Sequence, residues 1–205
     1  MFVTASVYSV DVAGGAHAYA LRSPQGVALV DTSFGGKADQ IAAELDANDL
    51  GNVVGILLTH HDVDHIGNAA ALQRKYQCDV YVSATDLPYV EGVQKRPGLK
   101  KLIGAIAKPP VPERLKPLPD GDVLDIQVIA TPGHTPGHVC YLFDGVLFAG
   151  DLLNSREGVL RKSQPLMTWD MAQVDASVAL VKKLAFQWVC PGHGDPVETS
   201  HIDLA

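Results

Sequence analysis

Six consecutive residues, His60-His61-Asp62-Val63-Asp64-His65, offer five side chains able to bind a metal ion. Imidazole nitrogen mixed with carboxylate oxygen suits borderline divalent ions such as zinc, iron and manganese. Three further candidates stand alone in turn-like surroundings: His134 after Pro132-Gly133, Asp151 after Gly150, and His193 after Pro191-Gly192. A lone histidine after a strand is ordinarily structural, but four such loops in one chain reverse that expectation. A carboxylate can bridge two ions about 3.5–4 Å apart, and such a pair generates a hydroxide nucleophile near neutral pH. Asp151, the single acid on its loop, is the natural bridge. No Gly-x-Ser-x-Gly or P-loop pattern competes with this chemistry.

The elements that must position these residues are legible as an α/β alternation. Residues 1 to 35 read as a β-meander with turns at Gly14-Gly15 and Pro24-Gln25-Gly26, its last strand, Val27 to Val30, running into Asp31. Lys37 to Ala47 is an amphipathic helix, residues 53 to 58 a buried strand, Ile66 to Tyr76 a helix and Val80 to Val82 a short strand. After Asp120-Gly121-Asp122, Val123 to Ile129 is expected as a strand. Val139 to Phe143 and Val146 to Ala149 should form a hairpin around Asp144-Gly145. Met171 to Leu184 is a helix and Phe186 to Val189 a strand. Each candidate ligand loop directly follows an apolar strand, and parallel strands deliver such loops to one edge of a sheet. The stretches Gly26 to Asp31 and Gly145 to Asp151 echo each other as turn, apolar strand, then Asp.

One stretch differs. Residues 85 to 119 hold seven of the thirteen prolines and are strongly cationic, with Lys95, Arg96, Lys100, Lys101, Lys108, Arg114 and Lys116. The expectation is a proline-rich insertion within a single domain spanning 1–205. Leu99, Leu102, Ile103 and Ile106 suggest one short helix in it, and the segment is either an ordinary solvated excursion or a lid over the site.

At 205 residues with 47% hydrophobic content, the chain can bury a substantial core. Its net charge of −7 disfavours a general nucleic-acid binder. Cys78, Cys140 and Cys190 are odd in number and widely spaced, so no disulfide framework is implied. The N-terminus lacks signal-peptide character and no later run could span a bilayer. The expectation is a cytoplasmic protein acting on a small molecule, with neither nucleic acid nor membrane as partner.

Taken in order, these motifs resemble the metallo-β-lactamase-fold hydrolase superfamily, whose signature is His-x-His-x-Asp-His followed by separate His, Asp and His ligands. The likeness runs from Asp31 through His193. It implies an α/β fold, a four-layer αββα sandwich with a dinuclear site at one edge of its two sheets. It also implies two divalent ions, zinc first, with iron or manganese as alternatives. By the resemblance, His60 and His134 serve the first ion, Asp64, His65 and His193 the second, and Asp151 both; Asp64 is the catalytic candidate. Asp31 resembles the family's buried Asp behind the ligand loop and His138 a recurring structural histidine; Thr59, Asn68 and Asn154 are weaker supporting candidates, and Cys190 a packing residue. The family's second histidine falls at Asp62, so the motif here is His-x-Asp-x-Asp-His. Asp62 is taken as the substituted ligand, with His61 as a competitor expected to point away. An oxygen ligand there tilts the site from zinc toward iron or manganese.

The expected function is a metal-dependent hydrolase acting on a small, anionic ester, thioester, lactone or amide, resembling the glyoxalase II and lactonase branch. The cationic stretch would hold the anion, so charge reversal of Lys100 and Lys101 would raise KM. The alternative is an iron-dependent oxidoreductase, flavodiiron-like or persulfide dioxygenase-like, and behind it a nuclease. Glyoxalase II enzymes usually carry a C-terminal helical substrate domain, whereas only Asp195 to Ala205 follow the last ligand loop here. A flavodoxin-like extension is likewise absent from the sequence.

Overall fold

The computed structural model describes residues 1–10, 15–96, 108–199 and 202–204. Two sheets face each other. The first has strand order β1-β2-β3-β4-β5-β6, from β1 (Val7–Val10), β2 (Ala18–Ser23), β3 (Gly26–Val30), β4 (Val53–Leu57), β5 (Asp79–Val82) and β6 (Leu115–Pro117). Its first three strands are antiparallel neighbours and the remainder pair in parallel. The second sheet uses β7 (Gln127–Ala130), β8 (Val139–Phe143), β9 (Val146–Gly150), β12 (Trp188–Pro191) and β13 (Val197–Glu198), in the order β13-β12-β9-β8-β7. A separate hairpin, β10 (Leu153–Arg156) and β11 (Val159–Lys162), follows β9.

Helices α1 (Ala38–Ala47), α2 (Val63–Ile66), α3 (Ala69–Tyr76), α4 (Leu87–Val90) and α5 (Met171–Val181) complete the described elements, with a 3-10 turn at Pro165–Met167. Strand side chains alternate between faces, and both faces of the central strands are buried. On β3, Val27 and Leu29 pack outward with Ile41 and Leu45 of α1, while Ala28 and Val30 face the other sheet. On β9, Val146 and Phe148 meet the first sheet, while Leu147 and Ala149 pack under Val174, Val178 and Val181 of α5. Three apolar layers thus separate helix, sheet, sheet and helix, the αββα sandwich that the resemblance implied. Burying each large side chain in them contributes about 1.5–3 kcal/mol.

Several boundaries differ from the sequence reading, each for a local reason. The helix expected over Ile66 to Tyr76 begins earlier and breaks, α2 ending before Gly67 and α3 starting after Asn68. The break is anchored, since Gly67 N donates to Ser33 O at 3.1 Å and the Asn68 amide donates to Thr32 O and Phe34 O. A side chain on Gly67 would lie 2.2 Å from Gly35 N, so only glycine permits this approach. The strand expected over Val123 to Ile129 is split: Val123 and Ile126 pair across a tight turn with Leu124 and Asp125 at positive φ, and only β7 joins the sheet. The strand expected from Phe186 starts two residues later, because Phe186 packs into the layer under α5.

Within the proline-rich stretch, α4 and the edge strand β6 are regular; Pro117 is tolerated because edge strands can forgo a donor. The helix expected around Leu99 to Ile106, with Lys100 and Lys101, lies outside the described residues. No described helix is long and apolar enough to cross a membrane.

Candidate metal centre

The chain delivers its candidate ligands at the ends of β4, β7, β9 and β12. His60, His61 and Asp62 follow β4, Asp64 and His65 sit on the single turn of α2, His134 lies between β7 and β8, Asp151 follows β9 and His193 follows β12. In each sheet the parallel pairs β3–β4 and β9–β12 end at the same edge, the position where open α/β sheets collect ligands.

The side chains converge in three overlapping groups whose ligand atoms lie within 4.8 Å of one another: His60, Asp62 and His134; Asp64, His65 and His193; and His60, His65 and Asp151. Asp62 Oδ2 is 3.5 Å from His60 Nε2 and 3.1 Å from His134 Nε2. Asp64 Oδ2 is 3.2 Å from His193 Nε2. Asp151 touches both ends, with Oδ2 3.4 Å from His134 Nε2 and Oδ1 3.2 Å from His65 Nε2 and 3.5 Å from His193 Nε2.

Hydrogen bonds behind the imidazoles fix which nitrogen faces inward. His65 Nδ1 donates to Asp31 Oδ2 at 2.7 Å. Thr59 Oγ1 donates to the same carboxylate, which leaves it to accept from His60 Nδ1 at 3.0 Å. The Ser163 hydroxyl donates to Asp151 O and so accepts from His134 Nδ1 at 3.2 Å. All three rings therefore aim Nε2 at the cluster, the outer hydrogen bond setting the tautomer. His60 Nε2, His65 Nε2 and Asp151 Oδ1 are buried there and make no hydrogen bond. Buried polar atoms ordinarily have partners, and a cation is the partner that this donor set fits. The backbone makes room for it: a side chain on Gly192 would come within 2.5 Å of Asp151 Oδ1 and 2.7 Å of His65 Cε1.

Electrostatics bind the groups together. Burial alone would raise the Asp151 carboxyl, but His65 and His134 hold it well below the usual carboxylate range. Burial pulls His60 well below its ordinary value, and the charge of His65 adds to the effect. For His65, burial is outweighed by Asp151 and Asp31, which raise it well above that value. His193 is raised chiefly by its hydrogen bond to Asp64; burial would raise Asp64, but the same bond lowers it.

The structure separates His61 from this cluster. Its ring stacks on Tyr89 at 4.3 Å and 10°, with Nδ1 2.9 Å from Asp86 Oδ2, whereas Asp62 turns inward. His138 also lies behind the ligands: its Nδ1 is 2.9 Å from the Thr131 hydroxyl, and burial beside His134 pushes its pKa down to about 3. Cys190 is fully buried, and burial pushes its thiol up. Asn68 anchors the loop before α1 by accepting from Lys37 N at 2.8 Å.

Sequence reasoning missed Ser163, Asp86 and the β10–β11 hairpin. The hairpin helps line a cavity of about 510 Å³ over the cluster, contributing Asn154, Arg156, Arg161 and Lys162 beside Asp62, Asp64, His134, Asp151 and His193. The turn pair Glu157-Gly158 between two short stretches was its faint signal. Asp86 gave none, since its partners are 25 to 51 residues away.

Known proteins resemble this chain to different extents. A probable metallo-hydrolase of Bacillus subtilis (strain 168), YybB, is 28% identical over 188 residues, covering 88% of this chain and 81% of that one. A hydroxyacylglutathione hydrolase of Vibrio cholerae is 34% identical over 125 residues, covering 58% of this chain; the chain spans only 40% of that relative's length. The solved structure of TTHA1623 in a di-iron-bound form superimposes with a TM-score of 0.75 at 29% identity, over 93% of this chain and 94% of that one. The metallo-beta-lactamase SMB-1, bound to 2-mercaptoethanesulfonate, superimposes with a TM-score of 0.71 at 26% identity, over 92% and 77%. The model of the metallo-beta-lactamase superfamily matches residues 11–193, a span that takes in every ligand loop, and the chain belongs to that superfamily.

Proposed function

We propose that this metallo-hydrolase holds two divalent ions, one between His60, Asp62 and His134 and the other between Asp64, His65 and His193, with Asp151 reaching both. The observation that carries the reading is the inward aim of unpartnered, buried lone pairs from separate loops onto one point. Such ions supply Lewis-acid polarisation of a carbonyl and a hydroxide nucleophile near neutral pH. The residues of the chain do the rest. Asp31 and Ser163 hold His65 and His134 in register. Asp64, which faces the cavity, is the carboxylate placed to exchange a proton with substrate through the oxygen turned from His193.

The substrate is a small ester, thioester, lactone or amide carrying an anionic group. Arg156 and Arg161 support that reading by lining the cavity beside the cluster; Lys162, in the same wall, pairs with Asp175 at 2.6 Å. Three cations of the proline-rich stretch are engaged elsewhere: Arg114 and Lys116 pair with Asp79 at 2.7 and 2.6 Å, and Arg96 holds the His61 carbonyl. Anion recognition is assigned to the hairpin, whose arginines line the cavity. The hydroxyacylglutathione hydrolases give the thioester class its place in the list. Turnover of acidic over neutral esters and thioesters by zinc-, iron- and manganese-reconstituted protein tests the proposal; no turnover with any metal would sink it.

Iron-dependent oxidoreduction is the second reading. Asp62 supports it, because an oxygen ligand favours a harder ion, as does the likeness to a protein solved in a di-iron-bound form. Stoichiometric iron in protein purified without added metal, with oxygen consumption, would favour it over hydrolysis.

A further inference from the structure

We propose that Asp86 is the positioning residue of the His60–Asp62–His134 group: buried between two loops, it fixes the one carrying His60 and Asp62 against the one carrying His134. The inference rests on the metal-centre reading above. Asp86 occupies the position before α4 where an Asp side chain ordinarily caps the helix, yet it makes no side-chain cap hydrogen bond. Its oxygens are spent elsewhere. Oδ1 accepts from Gly137 N at 2.7 Å. Oδ2 accepts from Thr135 Oγ1 at 2.7 Å and His61 N at 3.2 Å, and lies 2.9 Å from His61 Nδ1. His61 stands between His60 and Asp62, and Thr135 follows His134. One fully buried carboxylate thus grips both ligand loops at residues adjacent to the ligands.

The approach is close by construction: a side chain on Gly137 would lie 2.6 Å from Asp86 Oδ1. The Arg96 guanidinium donates to the other backbone group of His61, its carbonyl O. A second buried carboxylate stands behind the ligands. Asp31 accepts from Thr59 N, Thr59 Oγ1 and His65 Nδ1 at 2.9, 2.7 and 2.7 Å. Asp31 thus holds His65 directly and His60 through Thr59, spanning both groups, whereas the contacts of Asp86 fall only on the loops of the His60–Asp62–His134 group.

Zinc titration of metal-stripped protein against a competing chelator tests this, with His193→Ala identifying the step that belongs to the open group. Wild type is expected to bind two ions. Asp86→Asn should weaken the other step about 10- to 100-fold, as loss of such outer partners does, and leave the His193-dependent step in place; Asp31→Asn, which loosens both His65 and His60, should weaken both steps. Thr135→Val removes a single donor without opening the fold and should weaken the same step as Asp86→Asn, to a lesser degree. Two zinc ions bound by wild type, with Asp86→Asn and Thr135→Val both unchanged or with both steps weakened alike, would overturn the inference. A wild type that takes up no zinc, iron or manganese would instead overturn the metal-centre reading beneath it.

Discussion

The two halves of the candidate centre differ in how the fold encloses them. His60, Asp62 and His134 are all buried, and their loops are tied together behind the ligands. In the other half His65 is buried, but the His193 and Asp64 side chains keep 40% and 29% of their surface exposed in the cavity that Asp62 and His134 only reach from below. Enclosed metal sites hold their ion by preorganisation, and catalytic ones keep a position open. The same short motif supplies both kinds because α2 begins within it: Asp62, still extended, points inward, and Asp64, on the helical turn, points to the opening. The buried half is expected to retain its ion and the open half to meet substrate.

Several variants would break or sharpen that contrast. Asp151 reaches both halves, so Asp151→Asn should abolish the distinction, lowering metal affinity at both steps and turnover by at least about 100-fold, since even outer partners cost that much. Metal analysis after dialysis, beside steady-state kinetics, measures it. His193→Ala should release one ion and His134→Ala the other, and turnover should fall in both. During timed chelation of wild type the His193-dependent ion should leave first. Asp62→His restores a nitrogen ligand in the buried half, and the zinc-to-iron ratio of protein expressed in mixed metals should rise. Arg161→Glu should act at the opening alone, raising KM for an acidic ester about fivefold while leaving that for a neutral ester unchanged, the scale of one partly exposed charge pair. An equal effect on both esters would remove the hairpin from substrate recognition.

Much of this architecture was legible because its signals are local. Apolar strands followed by Gly, Pro and His name the loops, and the order of His60 to His65, His134, Asp151 and His193 carries the family resemblance. Element ends were less legible where tertiary contacts decide them. Gly67 breaks a periodic helix only because Ser33 and Gly35 lie against it, and Leu124 leaves its strand to pack between the sheets. Asp86 was invisible for the same reason, as an unremarked Asp beside a short helix whose partners come from distant loops. The cationic stretch was legible in composition alone. Composition reports charge but not its direction: Arg114 and Lys116 answer Asp79 and Arg96 the His61 carbonyl, Lys100 and Lys101 lie outside the described residues, and Arg156 and Arg161 of a hairpin that drew no notice line the cavity.

Anomalous scattering from crystals of the protein as purified, collected at the absorption edges of zinc, iron and manganese, would locate the ions themselves. Two peaks per chain are expected, one enclosed by His60, Asp62 and His134 and the other by Asp64, His65 and His193, with the Asp151 carboxylate touching both. A single peak, or an ion held by His61 in place of Asp62, would contradict this reading.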